Sequence, residues 1–313
     1  MRRVLVLAER PFRDLRSRAI LADLPARFPT AAPLLLATGA PTAPDGFVPC
    51  DPDVVPPAID HVVLAGAFTE ARQIEAALGR AGQAVAAGAT LEGWRLSLEN
   101  RAAGEVPASV AVLDAAEAIV VRDYHSANAL LLWRVAAHIR IDAYPERTVA
   151  PDETLAVGLP AGPLLGLAVL GGDNLQTAWM ARLESFRAQL APVAGWPILP
   201  LPCEAARTPQ DDYAGSLAFA AAVLPGAPML LPRLADPVWR RRQLSPARLK
   251  GLVARCGAVL TMQDLPAAYA VACGIPVLGL VLDNTERRAV SCLTQLANDL
   301  PPGSALLYPP VSR

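Results

Sequence analysis

From Leu265 to Leu282 the chain runs for 18 residues without a charged side chain. A run of that length is enough for a helix to cross a bilayer. Gly274-Ile275-Pro276 stands in its middle and argues against one continuous helix. Glycine commonly ends helices, and proline cannot donate the hydrogen bond that would continue one. The run therefore reads as a helix closed by Gly274 and a buried strand from Val277 to Leu282. Just upstream, Ser245 and Pro246 have the residue types of a helix cap and first position, and Gly257 ends that helix. Ala258–Thr261 is then a short buried strand, and Met262, Gln263 and Asp264 form the loop after it, with Asp264 as the expected cap of the next helix. Helix, strand, loop, helix, strand is the repeat of a parallel sheet covered by helices. Ligands of such sheets bind beyond the carboxyl ends of the strands. Met262–Asp264 is accordingly the first place to look for a site.

The same alternation fills the chain. Strands are expected at Val4–Ala8, Leu34–Ala37, His61–Ala65, Ala118–Val121 and His138–Ile141, with a further start at Thr90–Gly93. Helices are expected over Arg16–Phe28, Glu70–Ala87, Ser109–Glu117 and Ser126–Ala137. The Pro- and Asp-rich stretch Gly39–Pro57 reads as loop. Pro145–Pro163 is rich in Pro, Gly and acid and reads as a linker. Beyond it, Leu164–Leu170, Pro197–Pro202 and Met229–Leu231 are strands. Gln176–Leu190, Pro209–Val223 and Glu286–Leu300 are helices, and Ala235–Gln243 is a basic loop. The fold class is therefore α/β, with two Rossmann-like doubly wound domains facing a cleft, residues 1–150 and 151–313.

The chain is 53% hydrophobic and 18% charged, so it folds around large cores. Its net charge of −1 gives no electrostatic reason to expect nucleic acid or an anionic membrane as partner. The basic residues are almost all Arg. The only Lys is Lys250, expected on a helix surface, which leaves Schiff-base chemistry a single, poor candidate. The five cysteines, Cys50, Cys203, Cys256, Cys273 and Cys292, form no CxxC pair, which argues against structural zinc and a disulfide framework. The histidines have no HxH or HxxxH spacing, and no metal is expected. The opening apolar run is too short for a signal peptide, so the expected compartment is the reducing cytoplasm, with no integral membrane segment.

Candidate chemistry sits mostly at strand ends. Gly171-Gly172-Asp173-Asn174 joins a strand to a helix, where backbone amides can meet a phosphate; a tight turn capped by Asp173 or Asn174 uses the same residues. Arg122, Asp123 and Ser126 cluster after another strand and could hold a polar ligand, with His125 beside them as an acid or base near neutral pH; a cap with a surface ion pair is the alternative. His61 and His138 read as structural. Asp211 and Asp212 look like paired carboxylates, or a capping pair at a helix start. Arg240, Arg241 and Arg242 could contact a phosphate or be solvated.

Several of these segments together resemble the polysaccharide pyruvyl transferase family. DHVVLAGAF is similar to its strand ending in a glycine turn. LDAAEAIVVRDYHSANAL is similar to its "vRd..S...L" segment, the most specific match. Asp142, in RIDAYPE, falls where the family has an Asp. ILPLPCEAARTPQDDYAGSLAFAAAVL and GAVLTMQDLPAAYAVACGIPVLGLVLD resemble its later segments, the second built around an R-x-H motif before G-[IV]-P. The resemblance implies a GT-B-like fold and transfer of a pyruvyl ketal from phosphoenolpyruvate to a sugar of a surface or exopolysaccharide. No cofactor is implied beyond phosphoenolpyruvate as donor substrate, and the partner is a glycan or lipid-linked saccharide acceptor. An Ala-rich exposed helix is compatible with a homo-oligomer. Counted back from Pro276, the family's Arg and His fall on Gln263 and Leu265. Its Gly-Asn-x-Gly-Asp start is Arg10-Pro11-Phe12-Arg13-Asp14 here, and its late basic residue is matched loosely by Arg287 or Arg288. Three readings stay open: an active pyruvyl transferase with its anion site rebuilt from Arg122, Arg240–Arg242 or Arg287; a catalytically degenerate member that binds a glycan, a nucleotide sugar or a partner; and a GT-B glycosyltransferase using a nucleotide sugar.

Overall fold

The computed structural model describes residues 2–8, 15–29, 33–37, 46–142, 144–203, 212–281 and 288–307. The chain divides into two compact units, one of Met1–Phe12 with Arg16–Pro145 and the other of Arg13–Leu15 with Glu146–Arg313.

The first unit runs β1 (Val4–Leu7), α1 (Leu15–Leu21), α2 (Leu24–Arg27), β2 (Leu34–Ala37), β3 (Phe47–Cys50), β4 (His61–Phe68), α3 (Ala71–Ala86), β5 (Thr90–Leu98), α4 (Asn100–Ala103), β6 (Ala116–Val121), α5 (Tyr124–Leu132) and β7 (Ile139–Ile141). Its seven strands are parallel in the order β3-β2-β1-β4-β5-β6-β7. Strands inside such a sheet are buried on both faces and lose the polar–apolar alternation. Every residue of β1 and of β4 is buried. Alternate residues still choose opposite faces. Leu5, Leu7, Val62, Leu64, Ile119 and Val121 join the core under α3 and α5, while Val4, Val6, Val63, Ala65, Trp94 and Val120 join the core that holds Leu21 and Leu24. Helix α3 meets the sheet through Ile74, Ala77, Leu78, Ala81 and Ala84, the three-to-four spacing of one helical face. Two expectations change here. The stretch expected to be loop contains the edge strand β3, paired with β2 from Leu34↔Phe47 to Ala37↔Cys50. The expected helix at 109–117 is a tighter 3₁₀ turn, Val110–Ala115.

The second unit runs β8 (Leu165–Ala168), α6 (Asp173–Met180), α7 (Leu183–Gln189), β9 (Ile198–Pro200), α8 (Asp212–Val223), α9 (Pro237–Gln243), α10 (Pro246–Val253), β10 (Ala258–Thr261), α11 (Asp264–Ala272), β11 (Val277–Leu280), α12 (Arg288–Gln295) and β12 (Ala305–Leu307). Its sheet is parallel in the order β12-β11-β10-β8-β9. Met229, expected in a strand, makes one parallel bridge to Ile198. The expected helix over 176–190 is two helices, α6 and α7. The expected basic loop is the helix α9, opened by Asp236, whose carboxylate accepts from the Val238 amide at 2.8 Å, with Pro237 in its first turn.

The uncharged run resolves as a helix and a strand. Leu265–Val271 of α11 is buried throughout, and β11 follows Gly274, whose φ of +69° closes the helix in the left-handed region. Among the described residues no helix is long and apolar enough to cross a membrane.

Residues 147–152 are fastened along α10. The ammonium of Lys250 donates to the carbonyls of Arg147 (2.5 Å) and Val149 (2.7 Å). Arg248 Nε reaches Asp152 at 3.1 Å, and the Asp152 amide donates to the Ala247 carbonyl at 2.9 Å. Gly251 faces the Asp152 carbonyl so closely that a Cβ has no room. Lys250 is thus 7% exposed and structural, not a surface lysine, and burial pulls its pKa down.

Candidate functional site in the second unit

Chain order in the second sheet reverses at β8. From β8 the chain moves outward to β9, then returns to the other side of β8 as β10 and continues to β11 and β12. Carboxyl ends of strands on either side of such a reversal frame the usual crevice for a ligand. Here those ends are the segment after β8, through Gly171-Gly172, and the segment after β10, Met262-Gln263-Asp264. Both are sequence-predicted sites, and the sheet brings them together: the Met262 amide donates to the Ala168 carbonyl at 3.0 Å.

The two sides differ. The β10 side is closed. Met262 is fully buried, Gln263 is 4% exposed and Asp264 5%. Gln263, not Asp264, is the N-cap of α11, and its side chain makes no cap hydrogen bond. The turn is held by Thr261, whose Oγ1 accepts from the Gln263 amide at 2.8 Å and donates to the Gln263 carbonyl at 3.0 Å. Leu265 is 1% exposed and Pro266 is buried. The β8 side is open. Gly171 and Gly172 are half-buried, and Gly172 is the N-cap of α6 with φ +113°, a conformation suited to glycine. With no side chain it caps nothing, so the first amides of α6 have no side-chain cap from that position. Helix α8 props this turn from below. Gly215 packs so tightly against the Leu170 and Gly171 backbone that no Cβ fits, and Ser216 Oγ accepts from the Val169 amide at 2.9 Å. Asn174 lies in the first turn of α6.

Asp123 is the N-cap of α5: its Oδ1 accepts from the Ser126 amide and hydroxyl, both at 2.7 Å, and Ser126 Oγ accepts from the Leu98 amide at 2.9 Å. Asp123 and Ser126 therefore tie β5, β6 and α5 together. Arg122 is fully buried with its guanidinium 4.5 Å from the Tyr144 ring centre. His125 is exposed on the first turn of α5. Asp142 stands 3.5 Å from Arg95 Nε. Asp212 is fully buried and accepts from the Cys203 amide, holding the start of α8 to the segment after β9. Arg240 is 1% exposed, with its guanidinium 5.7 Å from the Tyr213 ring centre, so it is not a solvated loop arginine; Arg241 and Arg242 are exposed. Asp211 and Arg287 lie outside the described residues. No described group of three or more His, Cys, Asp or Glu could hold a metal ion. Burial pushes the Cys256 thiol up to about 12, which leaves it inert as a nucleophile near neutrality.

A polar cluster on β5 lies outside the residues expected to form a site. Glu92 accepts from Arg27 at 3.2 and 2.8 Å, and its Oε1 lies 3.6 Å from His61 Nε2. Arg27 stacks over Trp94 at 4.2 Å. Arg95, with φ +49°, reaches Asp23 at 2.5 Å. Glu92 and Arg95, charged residues in a strand buried from Leu91 to Leu98, are its mark in the sequence.

No protein family and no curated protein matches the chain by sequence. Solved structures do match by shape. UDP-N-acetylglucosamine 2-epimerase from Neisseria meningitidis, bound to UDP-GlcNAc, is similar with TM-score 0.54 at 11% identity, over 96% of this chain and 87% of that one. The enzyme from Rickettsia bellii gives 0.53 at 11% identity, over 92% and 81%. The UDP-GlcNAc 2-epimerase from Methanocaldococcus jannaschii gives 0.50 at 9%, over 97% and 96%. The chain has a GT-B-like α/β fold of two parallel-sheet domains.

Proposed function

We propose that the protein is a GT-B-type glycosyltransferase that uses a nucleotide sugar, with the diphosphate held beyond the carboxyl end of β8. The supporting observation is the half-buried Gly171-Gly172 turn leading into a helix start with no side-chain cap, at the point where strand order reverses. Amides of a helix first turn and the positive end of its dipole stabilise phosphate oxygens, and glycine lets the backbone come close to them. Structural neighbours that act on UDP-GlcNAc support the donor class through fold likeness. A saccharide acceptor follows from the reaction class.

Transfer of a pyruvyl ketal from phosphoenolpyruvate is less well supported. The positions where that family carries Arg and His hold Gln263 and Leu265, both buried. Thermal melting with UDP-GlcNAc, UDP-glucose, GDP-mannose and phosphoenolpyruvate tests the reading. A ligand selective for the native state raises the melting temperature. A shift with at least one nucleotide sugar is expected; a shift with phosphoenolpyruvate alone would reverse the preference.

A further inference from the structure

The sheet of the first unit carries a second feature, on its side and away from the strand ends. The face holding Trp94 and Val120 is covered by α1 and α2 over β1 and β4. Farther along, a trough of roughly 280 Å³ lies over β5, β6 and β7. Small side chains, Ala118 and Val120, line it together with two charged walls. One wall is Arg27 with Glu92, the other His138 with Arg140.

The walls are not equivalent. Arg27 is committed: it donates twice to Glu92 and stacks on Trp94. Glu92 stays ionised across ordinary pH, with its carboxyl brought down to about 2. That wall is neutral as a pair. Arg140 is different. It sits on the edge strand opposite Val120, is exposed, and has no hydrogen bond or ion pair to any described residue. The His138 side chain is likewise exposed and without a described partner. The trough therefore has an apolar floor, a neutral wall and a wall with an uncompensated guanidinium. A guanidinium fork matches the geometry of carboxylate and phosphate oxygens. The volume is at the lower limit for sites of drug-sized molecules, about 300 Å³, so the occupant is small.

We propose that this trough is a binding site for a small organic oxyanion, with its carboxylate or phosphate on Arg140 and His138 and its carbon skeleton on Ala118 and Val120. The site lies wholly within the first unit and does not depend on the nucleotide-sugar reading. Isothermal titration of the full chain with benzoate, phenyl phosphate and inorganic phosphate tests it. Saturable binding of benzoate or phenyl phosphate is expected, tighter than that of inorganic phosphate, and the tighter of the two names the head group. Arg140→Ala should weaken binding by about tenfold or more, and Arg140→Lys by less, as loss of a charge-assisted pair predicts. Ala118→Leu should block binding with Arg140 and His138 both in place. Circular dichroism melts establish that each variant is folded. No saturable binding of any of the three, or binding that survives Arg140→Ala or Ala118→Leu in folded protein, overturns the proposal.

Discussion

Asp123 and His125 stand two positions apart on the same turn, yet only one is built into the fold. Asp123 takes the Ser126 amide and hydroxyl, and its removal leaves buried donors unsatisfied. Asp123→Ala should cost about 2 kcal/mol in urea unfolding, at the upper end for a lost cap. His125→Ala, exposed, should stay within about 0.5 kcal/mol. If His125 proved the costly one, the placement of the turn would be wrong. Glu92 makes a pH prediction. Burial alone would raise its carboxyl; the contacts with His61 and Arg27 outweigh burial and bring it from 4.5 to about 2. A carboxyl lowered in the fold stabilises fully above its unfolded value and loses that contribution as pH falls toward the folded one. The window is thus between 4.5 and about 2, and the shift corresponds to about 3 kcal/mol. Unfolding free energies at about pH 5 and about pH 2.5 should converge for the wild type and Glu92→Gln at the acid end. An equal gap at both pH values would show that Glu92 is not held ionised.

At the scale of elements, the fastening of residues 147–152 to α10 depends on Gly251 and Lys250. Gly251→Ala puts a methyl into the Asp152 carbonyl and should destabilise by about 2 kcal/mol, as overpacking does. Lys250→Met removes the donor to two part-buried carbonyls and should cost about 1 kcal/mol, as the loss of hydrogen bonds from a charged donor does. Chemical denaturation of the full chain reads both; wild-type stability in either variant would show the fastening to be incidental. These contacts also mark what the sequence could and could not tell. The helix–strand alternation around Gly274 and Pro276 was legible because glycine, proline and unbroken apolar runs act locally. Lys250 was not, because its carbonyl partners lie about a hundred residues away and nothing local distinguishes it from a solvated lysine. Helix α9 was hidden for a related reason: its three arginines suggested solvent, whereas Arg240 is buried beside Tyr213. Edge strand β3 contains a proline and reads as loop until its pairing with β2 is known.

At the scale of the whole molecule, both sheets reverse their strand order, the first between β1 and β4 and the second between β8 and β10. Two of the sequence candidates meet at the second reversal, and the structure separates them by accessibility: Gln263 and Asp264 are buried, while Gly171 and Gly172 are half-open. The Arg122 cluster, equally suggestive in sequence, proves to be an N-cap and a buried arginine, since a cap and a ligand site draw on the same residue types. The Gly172 turn is the proposed seat of a nucleoside diphosphate, so the deciding measurement is isothermal titration of UDP-GlcNAc into wild type and Gly172→Val. A β-branched residue is badly strained at φ +113° and covers the amides. Saturable binding to wild type is expected, with a loss of about tenfold or more in the folded variant. Equal affinity in the two proteins would contradict it.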